Sequence, residues 1–307
     1  MDNQRSFPVD DVLYPFDSHW FTRDGVSLHY IDEGEGVPVV MLHGNPTWSF
    51  LYRKVVRQLS GSCRCIVPDY PGFGYSSHPP NYGYTPQEHA AWVKALIEHL
   101  ELERFVLVVQ DWGGPIGLSI GVEDPSKVAG LLLLNTWCWP ASWKMRAFSW
   151  AMGGPHREWL HHKHNFFVRR VLPWGINSPS KYDPDVMEAY MGPFPSWESR
   201  KGTAEFPRQI RKASAWLSAI EERLSRLKGI PKEMVWAKKD PAYGSEAMIA
   251  KWRSYFPGIF VTRETEASHY LQEDCPESIA HAVMRLVSGG ESTLVGKASL
   301  GYTPGET

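Results

Sequence analysis

The chain has 307 residues, 43 % of them hydrophobic and 21 % charged, with a formal net charge of −2. That length and apolar content can build a substantial core and exclude a disordered or fibrous protein. The near-neutral balance gives no electrostatic case for nucleic acid or an anionic membrane.

The opening MDNQRSFPVDD has no apolar stretch, and no run of about eighteen apolar residues occurs, so neither a signal peptide nor membrane insertion is expected. Cys63, Cys65, Cys138 and Cys275 lack zinc-ligand spacing and read as reduced thiols of a cytoplasmic protein. Fourteen tryptophans, several of them between 137 and 216, suggest an aromatic wall around a site.

Residues 19–33 alternate in polarity around Asp24-Gly25, which predicts a hairpin with a type I′ turn. Val39 to Leu42 reads as a buried strand entered through Pro38 and stopped by His43-Gly44-Asn45-Pro46. A helical pattern follows from Trp48 to Leu59. Cys63 to Val67 reads as a strand, the dense turn formers from Pro68 to Gly74 as a loop, and Pro86 to Leu100 as a helix.

Next comes FVLVVQDWGGPIG, residues 105–117. Phe105 to Val109 is an unbroken apolar run, the pattern of a parallel strand buried on both faces. It passes through Gln110-Asp111-Trp112-Gly113-Gly114 into a helix-like segment from Pro115 to Val122. Strand, glycine turn and helix in that order form the setting of a nucleophile elbow, in which one side chain projects from the top of a sheet. Asp111 stands where a serine is usual. An acid just after a buried strand is costly without a task.

Val128 to Leu134 is a further strand, ending at Asn135-Thr136. From Trp137 to about Lys212 the rhythm changes, with short helical patterns at Arg157 to Val171, Asp185 to Met191 and Ala204 to Ala219. Strands return at Glu233 to Ala237 and Ile259 to Thr262, and a helix at Pro276 to Leu286. This alternation predicts an α/β protein with a mostly parallel central sheet flanked by helices and a helical cap inserted in it. The expected division is a core of residues 1–136 and 213–307, with 288–307 as a flexible tail, and a cap of residues 137–212. Ligands bind beyond the carboxyl ends of parallel strands, and Asn45, Asp111, Asp240 and His269 all follow strand ends.

HGNPTWS at 43–49, PDYPGFGYS at 68–76, VVQDWGG at 108–114 and SHYLQEDCPE at 268–277 together resemble the haloalkane dehalogenases of the α/β-hydrolase fold. The likeness runs in order over about residues 19–287. It implies Asp111 as nucleophile, His269 as base, and Asn45 with Trp112 as halide donors. Asn135 stands where the best-known branch has an acid, and Asp240 can fill that role. The set then resembles the third subfamily, which is close to enzymes that open β-lactones in olefin synthesis.

A carboxylate suits carbon–halogen cleavage because it leaves an ester that water can open, whereas serine would leave an ether. On this reading Asp240 orients His269, and the backbone N–H groups of Asn45 and Trp112 form the oxyanion hole. No metal or organic cofactor is required. Asp274, Glu273 and Glu264 are the fallback acids. An epoxide hydrolase would need two cap tyrosines, with Tyr182 and Tyr190 as candidates, and an apolar-ligand binder would need none of this chemistry. The expected substrate is a small halogenated alkane, with water and halide as the other reactants. The C-terminal extension and aromatic-rich surface are compatible with a homo-oligomer.

Overall fold

A computed structural model describes residues 4–156 and 158–291. Its strands are β1 His19–Arg23, β2 Val26–Glu33, β3 Val37–Leu42, β4 Cys63–Pro68, β5 Phe105–Asp111, β6 Val128–Thr136, β7 Lys232–Ala237 and β8 Phe260–Glu264. They form one sheet in the order β1-β2-β4-β3-β5-β6-β7-β8. β1 and β2 run antiparallel to their neighbours, and all the other pairings are parallel. At the β1–β2 turn both Asp24 (φ 51°) and Gly25 (φ 75°) have positive φ, as a type I′ turn requires.

The central strands are as buried as their composition demands. Every residue of β5 and β6 is inaccessible to solvent or nearly so. Helix α1 (Arg53–Leu59) and the C-terminal helix Pro276–Glu291 pack together over one face of the sheet. Helices α2 (Pro86–His99) and α3 (Gly113–Glu123) pack together, with α3 lying against β3, β5 and β6. α2 begins with a capping box: the Thr85 hydroxyl accepts the Glu88 N–H, and the Glu88 carboxylate accepts the Thr85 N–H.

Between β6 and β7 lie helix α4 (Trp143–Gly153), two π-helical segments (Glu158–Lys163 and Phe167–Val171), and helices Pro184–Met191, Lys201–Lys212 and Ser214–Glu221.

Several boundaries differ from those expected. The segment after Trp48 opens as a 3₁₀ turn, Ser49–Tyr52, before α1 begins. The pattern Ala204 to Ala219 is two helices meeting at Ala213. Helices Trp143–Gly153 and Glu246–Tyr255 carry no clear signal in the sequence, because most of their side chains are exposed and the apolar periodicity is faint. The final helix runs on to Glu291, past the expected end at Leu286 and into the segment assigned to the tail; residues 292–307 lie outside the described part. No described helix is long and apolar enough to cross a membrane. All four cysteines are buried, and no disulfide links them among the described residues.

Candidate active site

β3, β5, β6, β7 and β8 are adjacent and parallel, so their carboxyl ends share one rim. Asn45 follows β3, Asp111 ends β5, Asn135 lies in β6, Asp240 follows β7 and His269 follows β8. The topology therefore gathers residues up to 225 positions apart, as the bond from the Tyr270 hydroxyl to the Asn45 carbonyl measures.

Asp111 has a positive φ of 49°, a backbone conformation that residues with a side chain rarely adopt. Its neighbours make room for it. A Cβ at Gly44 would fall 2.3 Å from Asp111 Oδ1, and one at Gly114 would fall 1.7 Å from Thr136 Oγ1. Only glycine at these two positions lets the elbow seat between β3 and β6.

Asp111 is 8 % exposed. Oδ1 accepts the Asn45 backbone N–H at 2.9 Å, and the Trp112 N–H also bonds to the carboxylate. Oδ2 lies 3.7 Å from His269 Nε2. Burial raises the Asp111 pKa above the usual carboxylate value, and His269 and the two amides only partly offset it.

His269 Nδ1 is 2.9 Å from Asp240 Oδ2, so the ring's donor faces the carboxylate and its lone pair faces Asp111. Burial alone would depress the imidazole pKa; the carboxylates of Asp240 and Asp111 outweigh it and leave the pKa raised. Asp240 is held down against its own burial by His269, by the Asn135 amide and by the Ala242 N–H.

A cavity of about 120 Å³ opens over these groups. Asn45, Asp111, Trp112 and His269 line its floor, and Phe148, Phe167, Trp174, Pro207 and Ile210 its roof. Among the tryptophans suspected as a wall, Trp174 lines the cavity from its outer side and is itself 68 % exposed. Trp137 and Trp139 are buried core, while Trp143 and Trp197 face solvent. The spacing of tryptophans could not separate these fates, since Trp137, Trp139 and Trp197 lie in loops and turns whose burial is set by what packs over them.

The other candidates are engaged elsewhere. Asp274 accepts backbone N–H groups of Asn177, Ser178 and Ser268. Glu273 pairs with Arg53 and Lys54 and accepts the Tyr190 hydroxyl, and Glu264 accepts Ser278 Oγ. Tyr182 is 79 % exposed and Tyr190 is buried against Glu273, and neither of these cap tyrosines considered for an epoxide reaction lines the cavity.

Residues 37–156 match the family described as alpha/beta hydrolase fold. "Haloalkane dehalogenase 2" of Mycobacterium bovis is 40 % identical over 281 residues, covering 91 % of this chain and 97 % of that protein. The chain belongs to the haloalkane dehalogenase family. The crystal structure of haloalkane dehalogenase DbeA from Bradyrhizobium elkani superposes with a TM-score of 0.83 at 28 % identity, over 91 % of this chain and 99 % of that one. A "Cis-3-alkyl-4-alkyloxetan-2-one decarboxylase" of Shewanella oneidensis is 32 % identical over 304 residues, covering 92 % of each.

Two side chains of this dehalogenase relative have contacts that the sequence does not announce. Asn135 donates Nδ2–H to Asp240 Oδ2 at 2.8 Å and to the Ala237 carbonyl at 3.1 Å, and its Oδ1 accepts the Ala237 N–H at 2.8 Å. An amide at the strand end thus replaces an acid by holding one. Gln110, fully buried beneath the elbow, directs Nε2 at both His269 Nε2 and the His269 carbonyl, each at 3.1 Å. The carbonyl can only accept, so the amide nitrogen must face it. The one sequence signal for Gln110 is its place inside the QDWGG motif. Asn135 stands out in the sequence only for lacking a charge.

Proposed function

We propose that the chain hydrolyses small haloalkanes through an ester on Asp111, with His269 and Asp240 completing the triad. Asp111 Oδ2 attacks the halogenated sp³ carbon from behind. The carbon–halogen bond breaks, and the halide departs toward the Asn45 side-chain amide and the Trp112 indole N–H. These neutral donors favour charge as it forms yet release the ion, where a lysine would retain it. His269 Nε2 then takes a proton from water, which attacks Cγ of Asp111. Negative charge collects on Oδ1, where the N–H groups of Asn45 and Trp112 contribute on the order of 3 kcal/mol each, by analogy with donors removed elsewhere. Collapse releases the alcohol, restores the carboxylate and leaves the proton to solvent. Residues 137–212 act as the cap that supplies the cavity's apolar roof.

One observation carries this reading: the Asp111 carboxylate has Oδ1 bonded to the Asn45 amide and Oδ2 turned to His269 beneath an apolar cavity. The cavity also favours small substrates over long-chain β-lactones, since about 120 Å³ falls short of the roughly 300–1,000 Å³ typical of pockets for larger ligands.

Halide and proton release from 1-bromobutane or 1,2-dibromoethane provides the test. Asp111→Asn should abolish it, and His269→Gln should trap the alkyl-enzyme, seen as a mass increase on the Asp111 peptide. Full activity in Asp111→Asn, with reversion by deamidation excluded, sinks the mechanism. Turnover of a cis-β-lactone without halide release would transfer the same site to the decarboxylase reading.

A further inference from the structure

The helix Lys201–Lys212 contains a proline in its interior, Pro207. An α-helix bonds each carbonyl to the N–H four residues on. The N–H owed to the Thr203 carbonyl would come from residue 207, and proline has none. The pyrrolidine ring also crowds that carbonyl and tilts it off the helix axis. The Thr203 carbonyl accepts instead from Asn45 Nδ2, at 3.4 Å, across from the rim of the sheet. Both residues are buried, Thr203 at 1 % and Asn45 at 6 % exposure.

A carbonyl can only accept, so the contact fixes which end of the Asn45 amide faces it. The nitrogen carries two hydrogens; one is directed at Thr203, leaving the second for the cavity that Asn45 lines. Were the amide reversed, Oδ1 would face another acceptor and an acceptor would be offered to the leaving halide.

The same helix touches the other halide donor. Phe206 stacks on the Trp112 indole at 5.2 Å and 23°, while Pro207 and Ile210 line the cavity. Residues 203, 206, 207 and 210 fall on one face, at the i, i+3, i+4, i+7 spacing. α4 holds this helix close: Ser149 Oγ donates to the Pro207 carbonyl at 2.6 Å, and a Cβ at Gly153 would fall 2.4 Å from the Arg208 nitrogen.

We propose that Pro207 is a positioning residue for halide capture: by lacking an N–H it frees the Thr203 carbonyl to orient the Asn45 amide. The inference rests on the reading of Asn45 as a halide donor. It ties halide affinity to the seating of one helix, because Asn45 is held from above by a backbone atom of the cap segment.

Pro207→Ala restores the N–H and is favourable to the helix, so the variant should fold. The new N–H draws the Thr203 carbonyl back along its own helix axis, and the Asn45 amide, already 3.4 Å away, loses its orienting acceptor. Inhibition of turnover by bromide should weaken about five- to tenfold, the scale of one hydrogen bond. Ester formation in single turnover should slow similarly, while hydrolysis of the ester, which needs no halide donor, should change less than twofold. A crystal structure of the variant should show the Thr203 carbonyl bonded to the new N–H. Ile210→Ala is the control, since it enlarges the same wall without adding a donor and should alter KM more than bromide inhibition.

Unchanged bromide inhibition in Pro207→Ala, or an equal loss in Ile210→Ala, overturns the role of the proline. Bromide inhibition absent from the unaltered enzyme removes the halide site itself, and with it both readings.

Discussion

The two carboxylates on either side of His269 are buried to a similar degree, yet their surroundings differ. Asp111, at the end of β5, is held by two backbone amides, and burial wins: its pKa is raised. Asp240, in the loop after β7, accepts His269 Nδ1–H, the Asn135 amide, and the N–H groups of Ala242 and Tyr243. Hydrogen bonds and the imidazole win there, and its pKa is lowered. Donors to a charged group contribute about 1.5–3 kcal/mol each, enough for several to outweigh burial. In the proposed mechanism, under-solvated Asp111 suits attack on carbon, whereas saturated Asp240 suits lasting negative charge beside a ring that becomes positive. Environments that push two carboxylates apart in this way fit the separate tasks the proposed mechanism gives them.

The largest blow to this contrast should come from Asp240→Asn. Loss of the orienting charge should cut ester hydrolysis by about 10⁴, while ester formation, which does not use His269 as a base, should persist. Rapid-quench measurement of the two steps decides it, and equal loss in both would strip Asp240 of its orienting role. Asn135→Leu should have a smaller effect, about tenfold on hydrolysis, because it removes one charge-assisted hydrogen bond from Asp240. Wild-type rates in that variant would show that the remaining donors suffice.

The smallest effect is a displacement of the pH profile. The His269 pKa is raised above 6.5, and the ring must be neutral to take a proton from water. Hydrolysis should therefore fall on the acid side, with an apparent pKa above 6.5 that belongs to the coupled site. The stability sign is opposite: this group's contribution is complete below 6.5 and is lost as pH rises through its folded pKa. Asp240→Asn should move the acid limb to lower pH. A limb that stays in place would mean another group sets it.

Local sequence determined much of this protein. Unbroken apolar runs specify the buried parallel strands, and turn residues at their ends specify where polar side chains emerge at the rim. QDWGG encodes its own elbow, since only glycine at 113 and 114 lets the turn seat against Leu42 and Thr136. Tertiary structure alone decided the rest. Asn135 and Asp240 are 105 positions apart, and their contact depends on β6 and β7 lying side by side. Trp137 is sealed in the core while Trp143 faces water, a choice made by tertiary packing. Thr203 acts through a backbone carbonyl, which carries no trace in residue identity. Strand content and turn chemistry are short-range properties, readable from neighbouring residues. Hydrogen bonds between the ends of different strands depend on where the sheet and its covering helices set the chain, and no short stretch of sequence contains that distance.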